Sequence, residues 1–125
     1  MIINKLLLIR SKRNVKPRKR FNMRYIMTVK MSQEKGDKAV RDPQFGKKMH
    51  DLLAEIKAES AYFTTICGHR GAYIIVNIND ASEITAIAEP FFLWLGADVD
   101  FIPVMTPEDL AKGGPGISAA IQKWG

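Results

Sequence analysis

The chain has 125 residues, 46% of them hydrophobic, and one cysteine, which allows a single modest core and excludes an intrachain disulfide. The lone thiol, Cys67, suits a reducing compartment, so the expected location is the cytoplasm. The formal charge of +6 sits at one end: eight of the nineteen Lys and Arg residues fall in residues 1–22, which hold no acid, so residues 23–125 set eleven bases against thirteen acids and carry −2. A field-driven attraction to nucleic acid therefore belongs to the leader and is excluded as a property of the body.

Residues 1–22 read as a basic, disordered or dispensable leader, and translation beginning at Met23 is the alternative. The apolar run Leu6–Ile9 is far short of the about 18 residues a transmembrane helix needs. Charge follows that run instead of preceding it, unlike a secretory signal. If the leader has a partner, its charge selects nucleic acid or an anionic membrane.

From Met23 the pattern becomes that of one domain, residues 23–125. Met23–Met31 alternates with period two, a strand. A short helical turn is expected near Glu34–Arg41, and a helix near Gln44–Lys57 with the stripe Met49, Leu52, Leu53, Ile56; Asp42-Pro43 separates them. Ala61–Ile66 and Ala72–Ile78 are strands joined by the link CGHRG, a hairpin. Asp80, with Glu83 at capping-box spacing, is expected to open a helix whose stripe is Ile84, Ile87, Ala88, Phe91 and Leu95. Pro90 should kink that helix by depriving the Ala86 carbonyl of its partner. Ala97–Met105 is a fourth strand, and Pro103 places it at a sheet edge. Thr106-Pro107-Glu108-Asp109 starts another helix, GGPG interrupts it, and Ile117, Ala120, Ile121 and Trp124 resume helical spacing.

The order β-α-β-β-α-β with a C-terminal helix is the α+β, ferredoxin-like arrangement. Its helices cover one sheet face only. The face of Tyr25, Met27, Val29, Ala72, Ile74, Val76, Val99 and Phe101 is nearly all apolar and belongs under them. The other carries Ile26, Thr28, Tyr62, Thr64, Ile66, Tyr73, Ile75, Asn77, Ile102 and Val104. Large apolar patches are uncommon on monomers, so the expectation is a homodimer, sheet against sheet, with two-fold symmetry. A partly apolar solvent face is the plainer alternative.

The segments AEPFFLWLGADVDFIPVMTPEDLAK (Ala88–Lys112) and RYIMTVKM (Arg24–Met31), within a likeness running from Met23 to the C-terminus, resemble a family of short bacterial proteins carrying a domain of unknown function in the dimeric α+β-barrel superfamily. The resemblance implies a dimeric α+β barrel. That superfamily spans isomerases, cofactor-free monooxygenases, haem-binding members and ligand-sensing domains, so the resemblance implies no particular reaction and no catalytic residue.

The chemistry-bearing residues are few. Tyr62, Thr64, Tyr73 and Asn77 are polar members of the second face, able to orient a small organic ligand or to decorate a dimer interface. Glu89, beside the Pro90 kink, is a candidate general base if the kink aims it into a helix–sheet cavity, and a solvated carboxylate otherwise. Cys67 and His69 flank Gly68; they could act as nucleophile and base, yet with only His50 left to complete a ligand set no metal or cofactor is expected, and the pair reads as exposed turn residues. Arg70 could grip a carboxylate or phosphate, or simply solvate the hairpin. Asp98 and Asp100 read as edge-strand protection. GGPG lacks the lysine of a phosphate-binding loop.

The functional expectation is a small homodimer that binds a small, partly apolar organic molecule. The alternatives are a cofactor-free isomerase or monooxygenase using Glu89, Tyr62 and His69, and nucleic-acid or membrane association through residues 1–22.

Overall fold

A computed structural model describes residues 23–125; the expectations for the leader lie outside the described residues. Four strands, β1 (Met23–Lys30), β2 (Ser60–Ile66), β3 (His69–Ile78) and β4 (Asp98–Pro103), form one antiparallel sheet in the order β2-β3-β1-β4. Helices α1 (Gln33–Arg41) and α2 (Phe45–Glu55) connect β1 to β2, and α3 (Glu83–Leu95) connects β3 to β4. Two further helices, α4 (Pro107–Lys112) and α5 (Gly114–Trp124), follow β4. Pro103 closes β4, whose ladder partner is β1 alone, so its missing N–H removes nothing from the interior of the sheet.

The period-two reading of the strands holds. Met27, Val29, Ile74 and Val76 have no exposed surface, while their neighbours Ile26, Thr28, Tyr73 and Ile75 point the other way and keep contact with solvent. Met49 and Leu52 of α2 and Ile87, Phe91 and Leu95 of α3 complete the core on the covered face. The rings of Phe45 and Trp94, 5.5 Å apart between centroids, join α2 to α3.

Three local expectations change. The segment after β1 is a nine-residue helix and not a single turn: the Ser32 hydroxyl caps it by accepting from the Lys35 N–H, and Ser32 donates to the Leu95 carbonyl. The hairpin link is two residues, Cys67-Gly68, both at positive φ (47° and 78°) as a type I′ turn demands, so His69, Arg70 and Gly71 belong to β3. Asp80 does not open α3; its carboxylate accepts from the Ser82 N–H and hydroxyl, a local turn that delays the helix to Glu83. The helix then runs through Pro90 and stops at Gly96, which takes the left-handed conformation at φ 54°.

The C-terminal arm differs in kind from the rest. Its start is well specified, because Thr106 and Asp109 exchange bonds in a capping box with Pro107 in the first turn. Yet no residue of α4 or α5 is buried, and the apolar side chains of the core and those packed on it run from Tyr25 to Phe101. Ile117, Ile121 and Trp124 are 52%, 62% and 81% exposed.

Candidate functional site on the open face of the sheet

Strand register sorts the uncovered face into rows. Tyr62, Tyr73, Thr28 and Asp100 are paired in sequence across all four strands. On one side of them runs Ser60, Ile75, Ile26 and Ile102; on the other, Thr64, Gly71, Lys30 and Asp98. A tyrosine pair thus lies between an aliphatic row and a polar row. Tyr62 is 63% exposed and Tyr73 42%. Cross-strand partners stand about 4.5–5.5 Å apart at Cβ, so the two phenols form one platform.

The ends of this platform are charged. At one end Arg24 makes a two-pronged contact with Glu59, Nε to Oε2 at 2.9 Å and Nη2 to Oε1 at 3.0 Å, and Asn77 Nδ2 donates to Glu59 Oε2 at 3.4 Å. The Arg24 guanidinium holds the Glu59 carboxyl below the usual carboxylate range. Lys30 Nζ approaches Asp98 at 3.6 Å on the neighbouring strand, toward the opposite end. Arg24 and Glu59 escaped sequence reasoning because they are 35 residues apart; the signal was the alternation that puts Arg24 on the face of Ile26 and Thr28.

Of the sequence-predicted residues, Tyr62, Thr64, Tyr73 and Asn77 do share this face, with Asn77 engaged in the charged cluster. His69 lies on the same face, at the start of β3, four positions from Tyr73, or about 13 Å along the strand. Its Nδ1 is shielded from solvent without a hydrogen-bond partner among the described residues. Arg70 points to the covered side, where its Nη1 donates to Asp37 Oδ1 at 2.7 Å and ties β3 to α1. Cys67 is exposed in the turn. Among the described residues no group of three or more His, Cys, Asp or Glu residues is arranged to hold a metal ion, and no helix is long and apolar enough to cross a membrane.

Glu89 goes elsewhere. It is an exposed residue of α3, the helix that packs on the covered face, so the sheet separates it from Tyr62. A cleft of about 630 Å³ does open between α2, β3 and α3, lined by Glu55, Lys57, Asn77, Asn79, Glu83 and Ala86. Ala86, whose carbonyl Pro90 leaves without its helical donor, is at this cleft, whereas Glu89 is not. Ala86 and Glu89 are three residues apart, yet Glu89 is exposed and outside the cleft, which matches the solvated-carboxylate alternative and not a base aimed into a helix–sheet cavity.

A second concavity is apolar. Phe45, Met49 and Leu53 of α2 and Phe63 of β2, with Gly46 and His50, line a groove of about 330 Å³ along the β2 edge. Phe63 faces the helix side yet stays 56% exposed, because α2 stops short of covering it.

No family model matches the chain, and no curated protein and no solved structure matches it.

Proposed function

We propose that the chain is a ferredoxin-like unit of a cytoplasmic homodimer, a dimeric α+β barrel that holds a small, partly apolar organic molecule between two open sheet faces. The strand order, with one strand inserted between the ends of each β-α-β crossover, supports the ferredoxin-like reading. The single observation that carries the function is the in-register pair Tyr62 and Tyr73, exposed beside the aliphatic row of Ile26, Ile75 and Ile102. Each large apolar side chain removed from water contributes about 1.5–3 kcal/mol, so a second copy of the same face is a strong partner. The phenols stand well clear of the sheet and keep two such faces from closing fully, and the space between them is rimmed by the Arg24–Glu59 and Lys30–Asp98 ion pairs. Those features fit a ligand with an apolar body and a polar end.

The probe for this reading is 8-anilinonaphthalene-1-sulfonate, an apolar ring system with one anionic group. Saturable binding to the native dimer is expected, weakened at least about tenfold by Tyr62→Ala combined with Tyr73→Ala in protein that is still dimeric. A dimer that takes up no probe saturably contradicts the ligand reading.

A further inference from the structure

We infer that the C-terminal arm is exchanged between copies: α5 of each chain seats its apolar stripe in the α2–β2 groove of the other. The inference rests on the homodimer reading and adds a second contact surface to it.

Three observations combine. First, each chain carries an apolar stripe and an apolar groove that do not meet. Ile117, Ile121 and Trp124 recur at helical spacing on α5 and remain more than half exposed, while Phe63 in the groove is exposed to a similar degree. The groove is walled by Phe45, Met49, Leu53 and Phe63, side chains of the kind that receive a helix face. Second, the arm leaves from β4 and the groove lies along β2, which are the opposite edges of the sheet, about 14 Å apart. In a face-to-face pair whose two-fold axis runs parallel to the strands, β4 of each chain lies over β2 of the other. The arm of one copy then emerges beside the groove of its partner.

Third, the sheet face alone is too small. Four strands of six to ten residues give a flat footprint of about 490 Å² per copy, or about 980 Å² for both, short of the about 1,200 Å² at which stable interfaces begin. An eleven-residue helix about 16 Å long and 10 Å wide, seated on each side of the dimer, adds roughly 650 Å² in total. The two surfaces together reach the size of a standard interface; neither does so alone.

The test is cross-linking in the full chain with Cys67→Ser as background. Copies carrying Trp124→Cys are mixed with copies carrying Phe63→Cys, allowed to exchange, and oxidised. The expected product is a disulfide-linked heterodimer. Ile121→Glu, an exposed position whose substitution leaves the core untouched, should raise the dimer dissociation constant at least about tenfold. Three results overturn the inference. One is a dimer that gives no mixed cross-link. Another is Trp124→Cys copies that link to each other, which marks the axis across the strands. The third is a chain carrying both cysteines that links to itself. A wild-type chain that stays monomeric overturns the homodimer reading as well, so the two failures are distinguishable.

Discussion

Gly71 shows how narrow the tolerance of the open face is at a single position. A Cβ there would come within 2.7–2.8 Å of the Ile66 side chain and 2.8 Å of the Val29 carbonyl oxygen. Ile66 could rotate away, but a backbone carbonyl in the central strand cannot. Gly71→Ala should therefore cost about 1–3 kcal/mol, read as a fall in the urea midpoint, and Ile66→Ala should not restore it. Full rescue by Ile66→Ala would show that the side-chain clash was the whole constraint. The neighbouring turn makes the converse case. Cys67 holds φ 47°, a region that costs a residue with a Cβ about 1–2 kcal/mol and that asparagine tolerates better. Cys67→Asn should raise the unfolding midpoint, by roughly 0.5–1 kcal/mol, and a lower midpoint would contradict the assignment of a type I′ turn.

The element scale is where sequence and structure part. Alternation made the strands and their two faces legible, because one residue of slip would have put Met27 and Val29 in water. Helix stripes were equally plain in α2 and α3. Boundaries that depend on turn chemistry were not. A five-residue CGHRG link shrank to two because a type I′ turn closes on two residues at positive φ, and this drew His69 into β3 and carried Arg70 to Asp37 of α1. Tyr62, Thr64, Tyr73 and Asn77 could be grouped from their parity alone. The Arg24–Glu59 pair that holds Asn77 could not, since no local pattern reports which loop end a strand will meet.

Those ion pairs set an acid dependence. Asp37 and Glu59 are held below their ordinary values chiefly by hydrogen bonds from Arg70 and Arg24. Groups with lowered folded-state values add stability that is complete above the ordinary carboxylate range, near pH 4, and that is lost as the pH falls through the lowered values. Urea midpoints measured from pH 7 down to 2 should fall more steeply for the wild type than for the double variant Asp37→Asn, Glu59→Gln. Parallel curves would show that neither pair contributes. The arm gives a different prediction. Thr106→Ala removes the capping box, normally about 1 kcal/mol of helix stability, from a helix with no buried residue. Faster hydrogen exchange is expected in the amides of α4, with an unchanged exchange rate in β1 and β3. Equal acceleration in the sheet would mean that the arm is part of the cooperative core.

At the scale of the whole molecule one face of the sheet is largely covered and the other is open. α2 and α3 bury Met27, Val29, Ile74 and Val76 completely on the covered face but leave Phe63 exposed at the β2 edge, and the open face and the arm leave Tyr62, Tyr73, Ile102, Ile117, Ile121 and Trp124 in water. Hydrophobic surface in that quantity, on a body carrying −2, is the surface the proposed dimer would bury. The proposed dimer through the open face would cover the exposed tyrosines, the aliphatic row and the arm in one arrangement. Sedimentation equilibrium of the full chain at micromolar concentration tests that claim most directly. The account predicts a single species of about 28 kDa, twice the chain mass of 14.1 kDa, that Ile102→Glu converts to monomer without unfolding it. A stable species at the chain mass, with Tyr62 and Tyr73 open to solvent quenchers, would contradict it.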